Sequence, residues 1–457
     1  MPSDKLIYVC SKCDAQSPKW SGRCFECGSW GTLQASSSSV VDKARAAAGH
    51  TKLGSAERSV GEVMTFDDLS SSDLPRILAT TELGKTLYPQ GIPQGSLTLL
   101  AGEPGAGKST LALQLALDFS VNGKVLYFSA EESGAQVKEK ISRLGSPTAN
   151  FLFSAERQLE TIAATVGHHQ VGVVVVDSIQ TVHSQEADTE PGSMQQLKIC
   201  TVKLMEIAKE HNVAIIIIGH VTKEGVAAGP KTLEHLVDIV VYVEGDPDSR
   251  FRMLRSSKNR YGASGKVSVL QMTNKGLGVV KQAATAFVAN FQPKVGSVLT
   301  AIVDSGQVFF LEVQSLVTSS NFGYAKRTTS GFPVKRLEVL LAVMKKRLDL
   351  DFDRYDVYVN LVGGFKVNDP AMDLAVCLSL ISSAKNKILS GSTIAFGEIG
   401  LAGELRAVKE STHRIEAAAK HQFKQILLPP LKATNDTIKL QPCESLGKVM
   451  EILGWAE

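Results

Sequence analysis

The sequence predicts an α/β protein built around a mostly parallel sheet, with a small unit before the sheet and an α+β block after it. Two apolar runs, VGVVVVD and VAIIIIG, have the composition of strands buried on both faces, and helical stretches alternate with such runs. Four cysteines in two pairs mark the small N-terminal unit. The C-terminal block begins near Ala286 and mixes strands with amphipathic helices such as VKRLEVLLAVMKKR.

Composition and charge exclude some classes of protein. The 49 basic and 46 acidic residues give a net charge of +3, so any contact with DNA or RNA would come from local patches. The N-terminal stretch MPSDKLIYVCSKC lacks the apolar segment of a secretory signal. No run approaches the roughly 18 apolar residues of a membrane span. We therefore expect a cytoplasmic protein without a membrane segment.

The cysteine spacing in residues 1–34 predicts a zinc-binding module. Two C-x-x-C turns, separated by ten residues, supply the four thiolates that tetrahedral Zn²⁺ requires. So short a segment cannot bury much of a core, and a structural metal would stabilise it. Free or redox-active thiols are the alternative. The predicted ligands are Cys10, Cys13, Cys24 and Cys27. The small polar residues of 35–60 then predict a flexible linker.

The central block, residues 61–281, carries the strands of the parallel sheet. We expect strands at Leu97–Ala101, Val125–Ser129, Val173–Val176, Ala214–Ile218 and Ile239–Val243. The segment GEPGAGKST follows the first of these strands and opens the helix STLALQLALDF. It matches G-x-x-x-x-G-K-[ST] in the context that a phosphate-binding loop requires, whereas a glycine-rich turn without function is the alternative.

This loop predicts a site for ATP and Mg²⁺. Glycines let backbone N–H groups turn toward the phosphates, and the helix N-terminus adds partial positive charge. Lys108 would contact the β- and γ-phosphates, and the Ser109 hydroxyl would ligate Mg²⁺. The predicted ATP-binding residues are Gly102, Glu103, Pro104, Gly105, Ala106, Gly107, Lys108, Ser109 and Thr110.

Polar residues at the ends of other strands are candidates for the same site. Asp177 ends the run VVVVD and is predicted to hold Mg²⁺ with Ser109, the alternative being a hydrogen-bonded structural aspartate. Glu131 and Glu132 follow the strand VLYFS, which we expect beside the strand of the phosphate loop. We favour Glu131 as the base that activates water, against a solvated acidic loop. His220 would sense the γ-phosphate or cap its strand.

The stretch SSKNRYGASG places two cations, Lys258 and Arg260, on a glycine- and serine-rich hairpin loop. Such a loop is unsuited to a core and predicts contact with negative charge. The candidates are a nucleotide phosphate and a DNA phosphate, and a solvated basic hairpin is the alternative without function.

The order of the cysteine pairs, GEPGAGKST, SAEES, VVVVDS, KNRYG and DPAMDLAV resembles the bacterial RadA (Sms) family of recombination and repair proteins over essentially the full chain. The resemblance implies a RecA-like ATPase core that forms hexameric rings, as DnaB-type helicases do. It implies movement on single-stranded DNA, branch migration of recombination intermediates and a RecA-type recombinase as partner. In a ring, Lys258 and Arg260 would meet the γ-phosphate of ATP bound by the next subunit.

The C-terminal block, residues 286–457, resembles the proteolytic domain of Lon, which uses a serine–lysine dyad. The serine position falls on Ala371, and the lysine position falls on Thr412, with Lys409 close in sequence. Alanine supplies no nucleophile, so we expect no peptidase activity. By analogy with RecA-like rings, the loops after the core strands would line a DNA channel, and Lys223 and Lys231 are the candidate phosphate contacts.

Two functions of other classes remain open from the sequence. A Lon-type ATP-dependent protease is disfavoured by Ala371, and a RecA-fold signalling ATPase of the KaiC kind is disfavoured by the zinc module. The three functions differ in whether ATP hydrolysis rises with single-stranded DNA, with a protein substrate or with neither.

Overall fold

The computed structural model describes residues 7–10, 16–17, 19–24, 29–36, 74–220, 230–245, 249–320, 325–364, 367–432 and 434–456. The chain divides into two compact units, residues 1–72 and residues 73–457. Within the described ranges, no helix is both long enough and apolar enough to cross a membrane.

The first unit contains a three-stranded antiparallel sheet in the order β2–β1–β3. Its strands are β1 (Ile7–Cys10), β2 (Gln16–Ser17) and β3 (Leu33–Ser36). Among the residues of this unit that the structure describes, Cys10, Cys24 and Leu33 are buried and form a cluster of their own. Strand β3 extends two residues past the predicted module boundary at residue 34, and the rest of the predicted linker, residues 37–60, lies outside the described residues.

The second unit begins with eleven strands and six helices in the part of the chain that the structure describes up to Val279. The strands are β4 (Arg76–Ile77), β5 (Ile92–Pro93), β6 (Leu97–Gly102), β7 (Val125–Ser129), β8 (Phe151–Ser154), β9 (Val173–Asp177), β10 (Ala214–His220), β11 (Ile239–Glu244), β12 (Phe251–Asn259), β13 (Val267–Thr273) and β14 (Gly276–Val279). The helices are α1 (Glu82–Leu87), α2 (Lys108–Phe119), α3 (Gly134–Leu144), α4 (Leu159–His169), α5 (Met194–Glu210) and α6 (Pro230–Leu233).

Nine of these strands form one sheet in the order β14–β13–β12–β11–β6–β10–β9–β7–β8. The six strands from β11 to β8 are parallel, and β12, β13 and β14 continue the sheet with antiparallel pairing. All five predicted strands are present, and their ends differ from the prediction by at most two residues. The strand β6, which leads into the phosphate loop, lies between β10 and β11.

The sheet is covered by helices on both faces because its strands are apolar at successive positions. On β6, Leu100 packs into a cluster with α2 and α3, whereas Leu99 packs into a second cluster with α4 and α5. Both side chains are fully buried. Each buried leucine stabilises the fold by roughly 1.5–3 kcal/mol, so this central strand is firmly held where it enters the loop.

The C-terminal part of the second unit is an α+β domain, as predicted. Its strands are β15 (Ser297–Asp304), β16 (Gln307–Ser319), β17 (Arg327–Ser330), β18 (Tyr355–Leu361), β19 (Thr393–Ala395), β20 (Glu398–Ile399), β21 (Leu405–Arg406), β22 (Gln425–Leu428) and β23 (Lys439–Pro442). Its helices are α7 (Val334–Leu348), α8 (Asp373–Lys385), α9 (Ser411–Lys420) and α10 (Leu446–Leu453). Seven strands form a mixed sheet in the order β17–β18–β16–β15–β19–β22–β23.

Strand β12 contributes to the cores of both domains in the second unit. Its residues Phe251 and Met253 pack in the cluster of the C-terminal domain, and Leu254 packs in the cluster of the parallel sheet. Arg255 adds an ion pair, with both of its terminal nitrogens 2.6 Å from the carboxylate oxygens of Asp304. Strand β12 is therefore fixed against both domains at once.

Candidate nucleotide site

The phosphate loop joins β6 to α2 and depends on glycine at three positions. Gly105 and Gly107 have φ of +79° and +97°, in the left-handed region where residues with a Cβ are strained. At Gly102 an added Cβ would lie 2.3 Å from the carbonyl oxygen of Val243 on β11. The loop geometry predicted from GEPGAGKST is therefore present, and α2 begins at Lys108 as the motif requires.

Lys108 lies at the mouth of this loop and is only 3% exposed. Its Nζ donates hydrogen bonds to the carbonyl oxygens of Gly102 at 3.1 Å and Glu103 at 3.0 Å. Burial lowers the pKa of Lys108, and the nearby carboxylates of Asp177 and Glu131 oppose that shift. The ammonium is thus a buried cation that interacts electrostatically with two carboxylates, those of Asp177 and Glu131.

Asp177, at the end of β9, has the properties of a metal ligand. The hydroxyl of Tyr127 donates to its Oδ2 at 2.7 Å, whereas its Oδ1 is buried with no partner among the described residues. Burial raises the pKa of Asp177, against hydrogen bonds from Tyr127 and Ser109. An acceptor oxygen without a partner, close to a serine hydroxyl, fits the oxygen ligands that Mg²⁺ prefers. Asp177 and Ser109 are therefore the residues that would hold the ion.

Glu131 and Glu132 have different partners. The hydroxyl of Ser178 donates to Oε1 of Glu131, and Nε2 of His220 lies 3.4 Å from the same oxygen. Glu132 instead forms an ion pair with Lys140 on α3. The structure therefore gathers Glu131, Ser178 and His220 at one edge of the sheet, and Ser178 was not singled out from the sequence.

The predicted position of the strand that carries Glu131 was wrong. Strand β7 pairs with β8 and β9, and both β9 and β10 separate it from β6. Glu131 is still directed toward the site, because its contacts Ser178 and His220 stand at the ends of these two intervening strands. Sequence order does not reveal strand order in a parallel sheet, which explains the error.

The hairpin that carries Lys258 and Arg260 is formed by β12 and β13. Lys258 lies inside β12, beside a β-bulge in which Ser257 is the extra residue. Its Nζ donates to the carbonyl oxygens of Glu234 at 2.8 Å and Val237 at 2.7 Å. Burial lowers the pKa of Lys258, and the neighbouring Arg260 lowers it further.

Arg260 follows β12 and is more accessible than Lys258. Its side chain is 55% exposed, and its NH1 lies 3.1 Å from Oδ1 of the buried Asp238. The other oxygen of Asp238 accepts the backbone N–H of Leu97 at 3.1 Å, which fixes the carboxylate. The backbone N–H of Arg260 also donates to the carbonyl oxygen of Asp238 at 3.1 Å, so both contacts of Arg260 are with the same residue and much of its side chain is exposed.

Both cations lie far from the phosphate loop of their own chain. Asn259 pairs with Ile239 on β11, and Ile239 pairs with Thr98 on β6. Thr98 lies four residues before Gly102, where the loop begins, and this corresponds to about 13 Å along the strand. Strand β12 runs antiparallel to β11, so its end and the loop stand at opposite edges of the sheet.

The zinc module and the DNA candidates are described only in part. Cys10 and Cys24 are buried and pack with Leu33 in the described part of the N-terminal unit. Two buried thiols, each belonging to a C-x-x-C pair, fit a structural zinc site. Outside the described part of the chain lie Cys13, Cys27, Lys223 and the side chain of Lys231.

The segment corresponding to the Lon dyad carries no nucleophile at position 371. Ala371 is fully buried in a short 3₁₀ turn, and its N–H donates to Oδ1 of Asp369 at 3.0 Å. Oδ2 of Asp369 pairs with the buried Arg414 at 2.8 Å. Thr412 and Lys409 are both exposed. The ion pair between Asp369 and Arg414 therefore stabilises the segment that corresponds to the Lon dyad.

Three family models match the chain, each in the part of the sequence where the corresponding domain was predicted. The rubredoxin metal binding domain matches residues 8–35, the AAA domain matches residues 65–226, and subunit ChlI of Mg-chelatase matches residues 335–432. The predicted fold class is confirmed: a RecA-like P-loop ATPase core, an N-terminal zinc ribbon and a C-terminal α+β domain of the Lon-protease type.

Several proteins resemble the chain over nearly its full length. It is 36% identical over 452 residues to a DNA repair protein RadA of Campylobacter jejuni, which covers 99% of this chain and 100% of the relative. It is 39% identical over 433 residues to the protein of that name from Rickettsia bellii, covering 93% and 94% of the two chains. The corresponding protein of Pseudomonas aeruginosa is 38% identical over 431 residues, covering 94% of each.

Among solved structures, a KaiC-like protein from Pyrococcus horikoshii aligns with a TM-score of 0.38 at 17% identity. A RadB recombinase aligns with a TM-score of 0.35 at 22% identity. The two alignments cover 46% and 45% of this chain and the whole of each solved chain. Similarity at this level carries no weight for function.

Proposed function

Because the chain belongs to the RadA family of DNA repair proteins, we propose that it is an ATP-hydrolysing motor that moves on single-stranded DNA. In this proposal it assembles as a homohexameric ring in the cytoplasm and drives branch migration of recombination intermediates beside a RecA-type recombinase. The ATPase core of the family supports the coarser part of the proposal. The DNA substrate rests on the sequence resemblance to RadA, and the ring rests on that resemblance and on the position of Arg260.

The residues of the nucleotide site have distinct roles in the proposed hydrolysis. The loop N–H groups and Lys108 bind the phosphates, and Ser109 and Asp177 would hold Mg²⁺, which would supply positive charge to the transferred phosphoryl group. Glu131 accepts a proton from the attacking water. Ser178 and His220 contact the carboxylate of Glu131 and so fix its direction.

The observation that carries the proposal is the position of Arg260. Arg260 follows Asn259, whose position in the sheet is about 13 Å along the strands from the start of the phosphate loop, and its side chain is 55% exposed. This position supports a role for Arg260 at a nucleotide held by another subunit. A cation in that position stabilises the charge that develops on the phosphate oxygens in the transition state.

Lys258 supports Arg260 in this proposal. Its ammonium already donates to three carbonyl oxygens, those of Glu234, His235 and Val237, in the turn before Asp238. Asp238 in turn binds Arg260. We propose that Arg260 supplies most of the positive charge that stabilises the transition state. Lys258 has two roles: it fixes the turn before Asp238, and it is the second cation of the pair.

The remaining parts of the chain complete the proposed motor. Lys223 and Lys231 stay our candidates for contacts with DNA phosphates in the channel. The zinc module would bind one Zn²⁺ through Cys10, Cys13, Cys24 and Cys27. The C-terminal domain serves assembly or DNA contact without peptidase activity, since alanine at position 371 offers no nucleophile.

Mixing two inactive variants tests the proposal. Lys108→Ala removes the cation of the phosphate loop, and Arg260→Ala removes the cation offered to the neighbour. Loss of such an arginine lowers turnover roughly 10³-fold, so each variant alone should be inactive. In mixed rings, an intact loop from Arg260→Ala meets an intact arginine from Lys108→Ala, and ATP hydrolysis should partly return.

A control and a second measurement make this test decisive. Arg143→Ala removes an exposed guanidinium from the end of α3 and should leave turnover unchanged. An Arg260→Ala protein with normal DNA-stimulated turnover but weak DNA binding would overturn the assignment. Stimulation of wild-type hydrolysis by single-stranded DNA, and not by a protein such as casein, separates the motor from a protease or a signalling ATPase.

A further inference from the structure

Arg252 is a buried cation that contacts the phosphate loop from inside the protein. It lies near the start of β12 and is 3% exposed. Its Nε donates to the carbonyl oxygen of Ala106 at 3.0 Å, in the middle of the loop. Its NH1 donates to the carbonyl oxygens of Phe251, at 2.7 Å, and Ser249. The guanidinium therefore joins the loop to β12.

The surrounding residues leave a fitted space for this side chain. Gly245 follows β11, and a Cβ added there would lie 2.9 Å from Cδ of Arg252. The neighbouring Phe251 packs in the core of the C-terminal domain, which holds the strand. The Arg252 side chain is thus constrained along its length, so its Nε has a fixed direction toward the loop.

The contact with Ala106 determines the orientation of one peptide group. In a trans peptide the C=O and the following N–H point in opposite directions. Because the Ala106 carbonyl points inward to Arg252, the N–H of Gly107 points outward, to the side where loop N–H groups bind phosphate. Gly107 forms one end of this peptide and has positive φ, as does Gly105 before Ala106, so glycine's conformational freedom would let an unheld peptide rotate.

We propose that Arg252 is a positioning residue of the nucleotide site, which holds the Ala106–Gly107 peptide with its N–H turned toward the nucleotide phosphates. It touches the loop and not the nucleotide, so its effect is on phosphate affinity through the loop. This inference rests on the proposed function of the loop as a nucleotide site.

Calorimetric titration of the full-length protein with MgADP tests the inference. Arg252→Met keeps the aliphatic stem and removes every donor. A hydrogen bond from a charged donor is worth enough to change affinity about tenfold or more, so the Kd for MgADP should rise by at least about tenfold. Arg255→Met is the matched control on the same strand, because it breaks the contacts with Asp304 and Glu244 and leaves the loop untouched. Its Kd should stay within about twofold of the wild type.

Arg252→Lys provides a readout that a purely structural role would not change. It keeps a cationic donor, and burial lowers the pKa of a lysine but leaves arginine charged. Near neutral pH the Kd of Arg252→Lys should be close to the wild-type Kd. The ratio of the two Kd values should increase as the pH rises and the lysine loses its charge. The same ratio for Arg255→Lys should not change with pH. If Arg252→Met does not fold, the pH dependence of the Kd ratio of Arg252→Lys still tests the positioning role of Arg252.

The outcomes separate this inference from the proposed function. If the wild type does not bind MgADP, the loop is not a nucleotide site and the proposed function itself fails. If the wild type binds, but Arg252→Met binds within about twofold of it or the Arg252→Lys ratio stays constant with pH, the positioning role of Arg252 is overturned and the nucleotide site stands.

Discussion

Glu131 and Glu132 are adjacent residues whose carboxylates face different surroundings. Glu131 meets the hydroxyl of Ser178 and the ring of His220, both at the ends of central strands. Glu132 pairs with Lys140 on a helix. A base that activates water must be held toward the substrate, and only the first carboxylate is held in that direction.

Substituting each glutamate by glutamine tests this difference. Removing a general base costs roughly 10²- to 10⁴-fold in rate, so Glu131→Gln should lower ATP turnover by about 100-fold or more and keep MgADP affinity. Glu132→Gln is the control and loses only an ion pair worth about 1 kcal/mol or less. Steady-state ATPase assays that find the larger loss in Glu132→Gln would reverse the assignment.

The buried ammonium of Lys108 predicts how nucleotide affinity depends on pH. Burial lowers the pKa of Lys108 below its usual 10.5, and the carboxylates of Asp177 and Glu131 only partly oppose this. Only the charged form attracts phosphate. Affinity for MgADP should therefore fall as the pH rises through this lowered pKa, with Kd increasing up to about tenfold per pH unit.

Calorimetry between about pH 7 and about pH 10 measures this dependence, with circular dichroism to confirm folding at each pH. Lys124→Met removes an exposed lysine from the same domain and should show the wild-type dependence. An affinity that stays constant over the whole range would contradict the role of Lys108.

At the residue scale, the sequence predicted the functional residues that belong to recognisable sequence motifs. Lys108, Ser109 and Asp177 belong to motifs with fixed spacing, and the structure brings them together. Tyr127 and Arg252 were missed because each lies within a strand and outside any motif. Their roles depend on contacts with other elements, Asp177 for Tyr127 and the phosphate loop for Arg252. Tyr127 shares a face with Asp177 only because β7 pairs with β9, a pairing that the sequence does not specify.

At the element scale, the β-bulge in β12 determines the direction of the two cations proposed to act on a neighbour's nucleotide, Lys258 and Arg260. The pairing with β11 shifts by one residue at Ser257, and the two cations follow this shift. A bulge redirects the side chains beside it, since one extra residue reverses the alternation of faces. The exposed hydroxyl of Ser257 is not needed for this effect, whereas its backbone is.

Two changes at Ser257 distinguish the role of its backbone in the bulge from the role of its side chain. Ser257→Ala keeps the bulge and should retain turnover within about twofold. Deletion of Ser257 restores regular pairing and moves the cations to other directions, so turnover should fall about as far as in Arg260→Ala. MgADP affinity should be unchanged in both, because the phosphate loop lies at the other edge of the sheet. Normal turnover in the deletion variant would show that the bulge has no functional role.

The sequence predicted the elements better than their arrangement. Long apolar runs gave the five strands of the parallel sheet, because burial on both faces requires that composition. The stretch SSKNRYGASG was predicted as a loop from its serines and glycines, yet Lys258 lies in a strand. Pairing with β11 overrides the weak local preference of these residues.

At the scale of the whole molecule, the N-terminal unit is compact by itself. We expect one Zn²⁺ per chain by elemental analysis, and Cys24→Ser should lose the metal because a tetrahedral site needs all four thiolates. The unfolding transition of the larger unit should not change. Cys200→Ser, which alters a buried thiol of the ATPase core, is the control and should keep the zinc. A wild-type protein with no metal and four freely titratable thiols in the module would contradict the site.

The antiparallel course of β12 has a kinetic consequence for a dilute solution of this protein. If Arg260 acts on a neighbour's nucleotide as proposed, a chain with its phosphate loop at one edge of the sheet and Arg260 at the other would not complete a site alone. Below the concentration at which subunits associate, specific activity should therefore fall with dilution, whereas a self-sufficient enzyme would keep it constant. Adding an excess of inactive Lys108→Ala chains to dilute wild type should raise the rate, because those chains still present Arg260 to a wild-type phosphate loop. The same excess of Arg260→Ala chains should not raise it.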